Sequence, residues 1–142
     1  MKYDWTPSPH TADLAIEITG DSREGLFHAA LDGYVGSLGI QKIPDTNVKV
    51  SEYGLDITVN DIEEALVDFL NECIYIVEVE ELIPFQIKSV KFDGKNLDSV
   101  IQCRPIKKEE RADSGHIKAA TYAALEVTET DGIYRTRIIF DT

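Results

Sequence analysis

The strongest constraint on this chain lies between residues 62 and 77. Ile62, Ala65, Leu66, Phe69, Leu70, Cys73, Ile74 and Val77 recur with the 3.6-residue period for about four turns. An α-helix puts all of them on one face. Such a stripe must be buried against another layer of structure. Asn60 or Asp61 can cap its start, and Glu63 stands three residues after Asn60, a capping-box spacing. Glu64, Asp68 and Glu72 follow one another at four-residue steps on the opposite face.

The partner layer is legible as strands. Leu14, Ile16 and Ile18 alternate, which predicts a half-buried strand stopped by Gly20. Asp21-Ser22 then offers an N-cap. A second helix follows through Leu26, Phe27, Ala30, Leu31, Tyr34, Val35 and Leu38, ending near Gly39. Val48, Val50, Leu55, Ile57 and Val59 alternate with a break at Tyr53-Gly54, which predicts a hairpin or a bulged strand. Residues 85–92 and 97–103 read as strands around Asp93-Gly94. Residues 119–127 and 133–140 read as two more, joined by Thr130-Asp131-Gly132. Residues 105–115 are charged and aperiodic, so they read as an exposed loop. The expected class is α+β, a two-layer α/β sandwich with two main helices on a largely antiparallel sheet. With no repeat and no low-complexity linker, the 142 residues read as a single domain, 1–142.

Charge bears on function. The chain has 26 acidic and 14 basic residues, a net charge of −12. Residues 60–81 hold eight acids and no Lys or Arg. Stable direct binding of RNA is therefore not expected, because that affinity rests on Lys and Arg. Cations or basic partners suit the surplus better. No apolar run reaches the length of a membrane span and nothing at the N-terminus reads as a signal peptide, so no membrane association is expected. Cys73 and Cys103 lack the paired spacing of a zinc site and read as buried small hydrophobes, which fits a reducing compartment, the cytoplasm.

Few residues announce chemistry. No P-loop, Gly-x-Ser-x-Gly or His-Glu-x-x-His occurs. Ser114-Gly115-His116 lacks the positioned base and orienter of a triad. His28 reads as an edge-packed helix residue. His10 and Asp13 lie in Pro9-His10-Thr11-Ala12-Asp13, just before the first strand, where such residues either turn the chain or point a carboxylate at a ligand. At the other end an apolar strand fixes Asp141 beside Thr142, and convergent oxygens there would suit a hard cation. Lys118 and Tyr122 share a face if their segment is a strand, a donor pair for a phosphate or carboxylate, or a plain polar face. Asn71 and Glu72 are either functional or the solvated side of the helix.

Several segments together resemble the archease family. They are His10-Thr11-Ala12-Asp13, Leu66-Val67-Asp68-Phe69-Leu70-Asn71-Glu72, Ile117-Lys118-Ala119-Ala120-Thr121-Tyr122 with Leu125-Glu126-Val127, and Arg135-Thr136-Arg137-Ile138-Ile139-Phe140-Asp141. They occur in family order across essentially the whole chain. One position departs: Ala123 stands where the family often has His. The resemblance implies a small α/β accessory protein, not an enzyme. Its expected partner is an RtcB-type RNA ligase that joins tRNA halves, whose guanylylation and multiple turnover it promotes. A chaperone-like role beside a tRNA methyltransferase is the alternative. The resemblance also implies a metal site of Asp13, Asp141 and Thr142, most readily for Ca²⁺, with Mg²⁺ or Mn²⁺ as alternatives. His10, Lys118, Tyr122 and Glu72 are the expected partner-facing residues. A metal-dependent hydrolase at the same aspartates ranks below both readings, because no residue stands out to activate a nucleophile.

Overall fold

The computed structural model describes residues 1–8, 14–40, 47–113, 117–123 and 125–142, with backbone alone at Ala112 and Asp113. The described chain runs β1 (Tyr3–Ser8), β2 (Leu14–Gly20), α1 (Arg23–Ser37), β3 (Ser51–Thr58), α2 (Ile62–Glu78), β4 (Leu82–Phe92), β5 (Asn96–Pro105), α3 (Lys108–Asp113), β6 (Ala119–Thr121), β7 (Thr128–Thr130) and β8 (Ile133–Asp141).

Every strand pair is antiparallel, as expected, and the class is α+β, but the strands divide into two sheets. One has the order β1-β2-β8-β6, with β7 also on β8. The other is β3-β5-β4. α1 touches β1, β2 and β8 of the first sheet and β4 of the second, and it packs on α2. It is therefore apolar around most of its circumference, with Leu26, Phe27, Ala29, Ala30, Leu31, Tyr34 and Val35 all buried. Phe27 ties the elements together. Its ring meets Phe69 of α2 edge-on at 5.5 Å and Phe92 of β4 at 5.8 Å. On the same helix Gly33 and Gly36 leave room for Trp5 of β1, whose ring occupies the space a Cβ at Gly36 would need.

Ser22 caps α1 by accepting from the Gly25 amide at 3.0 Å, and Gly39, at φ +71, turns the chain out of it. In α2 the cap is Asp61, whose Oδ1 accepts from the Glu64 amide at 2.8 Å. Glu64 answers by accepting from the backbone amide of Asn60 at 3.2 Å and from its side chain at 3.0 Å. The reciprocal cap is thus one residue later than the Asn60–Glu63 spacing suggests. All eight stripe positions of α2 face inward, seven of them buried, and Val67 and Ile76 are buried with them. Both cysteines are fully buried free thiols, as expected, and burial pushes the Cys103 thiol up to about 11.

Five expectations need correction. β1 matches no element expected from the sequence: it is a mostly polar edge strand that carries Pro7. Tyr53-Gly54 is no break, because Tyr53 pairs with Ile101 and Gly54 with Val100 in unbroken register. The irregularities lie in β4 instead, between Pro84 and Gln86 and between Ile87 and Ser89. Val48 and Val50 precede β3 and are not part of it. The charged stretch after Pro105 contains the short helix α3, which Arg104 anchors. That side chain is 2% exposed and reaches Glu110 through two bonds, at 2.8 and 2.6 Å. Residues 119–127 are not one strand. β6 and β7 lie along the same edge of β8, and the chain leaves that edge between them.

Candidate functional site

β8 is the middle strand of its sheet and carries Asp141 as its last residue. Ala119 pairs with Asp141, and the Lys118 amide donates to the Asp141 carbonyl at 2.8 Å. The backbone of Asp141 is thereby held from β6, while its side chain and Thr142 are exposed. On the other edge of β8 the ladder begins with Leu14 opposite Phe140. Those two residues adjoin Asp13 and Asp141 in the chain. Asp13 and His10 themselves lie outside the described residues, as do Ser114, Gly115 and His116.

Lys118 and Tyr122 do not form the expected pair on one strand face. β6 begins after Lys118 and ends before Tyr122, and both side chains are exposed, Tyr122 by 56%. Partial burial and the negative charges of Asp68, Glu64 and Asp61 raise the Tyr122 hydroxyl above its usual range. Tyr122 therefore sits beside the acidic side of α2. That side is half-buried: Glu64, Asp68 and Glu72 are all partly covered. Asp68 is raised by burial and by its two acidic neighbours. Glu72 also accepts from the Tyr53 hydroxyl at 3.3 Å.

Two α2 side chains shape the site through bonds that the sequence pattern does not show. Asn71 Oδ1 accepts from the Ala120 amide at 2.8 Å, and Glu63 accepts from the Val127 amide at 2.9 Å. From the β8 side, the Thr121 hydroxyl donates to the Ile139 carbonyl and the Thr136 hydroxyl to the Glu126 carbonyl, each at 2.9 Å. Residues 119–127 are thus fastened at both ends, and Tyr122 rides between the fastenings. Asn71 is therefore not idle on a solvated face. It gives β6 the backbone acceptor that its free edge lacks. The sequence signal was its neighbour spacing: Asn71 lies at the flank of the apolar stripe, where a polar residue meets another element. His28 is half-buried and stacks on Tyr3 at 4.9 Å, the edge-packed role expected of it.

Among the described residues no three His, Cys, Asp or Glu side chains cluster closely enough to hold a metal. No helix is long and apolar enough to cross a membrane.

A small α+β protein with this antiparallel arrangement and an exposed acid closing its middle strand matches known proteins throughout its length. The sequence profile of the archease protein family matches residues 5–142, and the chain belongs to that family. Protein archease of Thermotoga maritima is 34% identical over 137 residues, covering 96% of this chain and 98% of that protein. Protein archease of Methanosarcina barkeri is 27% identical, covering 93% and 91%. The crystal structure of a Thermotoga maritima archease, described as a possible chaperone, superposes with a TM-score of 0.66 at 27% identity over 96% of each chain. A solution structure from Methanobacterium thermoautotrophicum, at 21% identity, shares the fold with a TM-score of 0.65, covering 99% of this chain and 98% of that one.

Proposed function

We propose that this protein is a non-catalytic accessory protein, one domain of 142 residues acting in the cytoplasm, that activates an RtcB-type RNA ligase through a divalent cation held at the end of β8. The observation that carries this reading is the placement of Asp141. It ends the middle strand of the sheet, its backbone is fixed by Lys118, and its carboxylate is free to face a partner. The donors available there are hard oxygens, which suit Ca²⁺, Mg²⁺ or Mn²⁺ better than a soft ion. Asp13, Asp141 and Thr142 would hold the cation, which would supply positive charge for an oxygen of the ligase or of its substrate. Lys118 and Tyr122 flank that end of the sheet as partner contacts, with His10 and Glu72 as further candidates. An activator of this kind acts by binding one state of the ligase better than another.

Ligase turnover with substoichiometric ligase tests the reading. Asp13→Ala and Asp141→Ala should each abolish stimulation while thermal melting stays close to wild type, and Ca²⁺ should raise the melting temperature of the wild type alone. Full stimulation by a folded double variant would overturn it.

A second reading, a chaperone-like modulator of a tRNA methyltransferase, has one observation in its favour. Tyr75 and Val79, 44% and 59% exposed, stand on α2 and its C-terminal cap among acidic residues, a surface suited to a basic partner. Salt-sensitive co-purification lost on joint neutralisation of Glu64, Asp68 and Glu72, with Asp141 dispensable, would favour it over the first.

A further inference from the structure

The outward face of the β1-β2-β8 sheet is concave. Ile16, Ile18 and Ile138 point into the core, so Glu17, Thr19, Arg135 and Arg137 point out. A groove of about 390 Å³ lies over them, bounded on the far side by Glu126 and Thr128. A second hollow of about 220 Å³ shares Glu17, Thr19 and Arg135 and continues towards Asp4 of β1. The larger hollow is within the size range of small-molecule sites.

The two acids and two bases of this groove balance formally, but not all of them are paired. Glu17 accepts from Arg137 at 3.4 Å and from the Ser8 hydroxyl at 3.5 Å, so that acid and Arg137 largely offset one another. Asp4 accepts from the Trp5 amide at 2.9 Å. The Arg135 side chain has neither an ion pair nor a hydrogen bond among the described residues, and it is exposed. The register puts it between Thr19 on β2 and Thr128 on β7. In a chain of net charge −12 this is a guanidinium in a hollow without a bonded acid among the described residues, with a hydroxyl-bearing residue at each side. A guanidinium fork matches a phosphate with two parallel bonds, and hydroxyls can donate to its remaining oxygens. Arg137, two residues along the strand and about 7 Å away, adds a second positive charge. The rim acids Glu17 and Glu126 would accept from hydroxyl groups on the body of the ligand. They would also repel a long polyanion, which argues for a small ligand over a nucleic-acid backbone.

We propose that this groove binds a small phosphate monoester of a hydroxyl-bearing molecule, with Arg135 as the phosphate fork, Thr19 and Thr128 as donors and Arg137 as supporting charge. The site is separate from the cation reading at the end of β8 and does not depend on it.

Calorimetric titration of the full chain with inorganic phosphate, ribose 5-phosphate and ribose, at constant ionic strength, tests this. Both phosphate compounds should saturate the protein, ribose 5-phosphate more tightly, and ribose should give no binding. Arg135→Gln should weaken ribose 5-phosphate by about tenfold, and Arg135→Lys by less, because charge remains while the fork is lost. Arg135 is exposed, so both variants should melt like the wild type. Failure of both phosphate compounds to saturate, equal binding of ribose and its phosphate, or unchanged affinity in Arg135→Gln would each overturn the proposal.

Discussion

Arg104 shows how one side chain can organise a segment that has no apolar pattern. It lies next to the end of β5, buried beside Cys103, and its guanidinium is met by Glu110 of α3 and the Pro105 carbonyl. The Arg104 hydrogen bond is the main reason the Glu110 carboxyl is held below its usual value, with the Lys107 amide helping. The sign of the pH effect follows. A depressed carboxyl contributes stability above its ordinary value of 4.5, and that contribution is lost as pH falls through its lower folded value. Melting temperature should therefore drop on acidification below about pH 4.5, and Glu110→Gln should flatten that decline. Glu110→Ala removes two charge-assisted bonds from a buried cation and should cost about 3 kcal/mol in denaturant unfolding at pH 7. None of this was visible in the sequence. An Arg before Pro in a charged stretch reads as solvent-exposed, and a six-residue helix is too short to show a period.

At the scale of elements, α2 was the most legible part of the chain because its stripe and cap agree. α1 was legible for its period and its Ser22 cap, although its near-complete burial was not. β1 was missed because a polar edge strand with a proline has the composition of a loop. The Tyr53-Gly54 step was misread because tyrosine was counted as an interruption. In the structure it occupies the same face as Leu55 and Ile57, with its ring half-buried and its hydroxyl on Glu72. The 119–127 segment reads as one strand because nothing in its composition marks a break, whereas its real fastenings come from α2 and β8. The candidate site was legible to the same extent. Asp141 could be placed at a strand end from local pattern, but the hydrogen bonds that present Tyr122 could not. Asn71→Ala should cost about 1–2 kcal/mol by orphaning the Ala120 amide, and Asn71→Asp should recover most of it by keeping the acceptor. Hydrogen exchange at Ala120 reads the effect directly, with faster exchange expected in Asn71→Ala.

For the molecule as a whole, the charge of −12 is not evenly spread. The α2 region carries eight acids without a single base, and α2 has no cation in its last turn to answer the helix dipole. Three ion pairs among the described residues, Lys88–Glu52, Arg111–Glu81 and Arg137–Glu17, are exposed and weak. Self-repulsion should outweigh them. Raising ionic strength from about 0.01 to 0.15 M shortens the screening length from about 30 to 8 Å. The melting temperature should rise by about 2–4 °C over that range, as calorimetry can check. A fall would mean that the attractive pairs dominate.

The two sheets also differ in when they can exist. The β3-β5-β4 sheet closes within residues 51–105, so its strands and α2 can assemble while synthesis continues. β2 has no such option. It pairs with residues 134–140, and Ile16 waits for Ile138 across more than a hundred intervening positions. At 5–20 residues per second that delay is on the order of ten seconds, during which one edge of β2 and one side of α1 lack their cover. Among the described strands the one that carries Asp141 is therefore also the last to emerge, and the candidate site proposed at its end can form only as the first sheet closes.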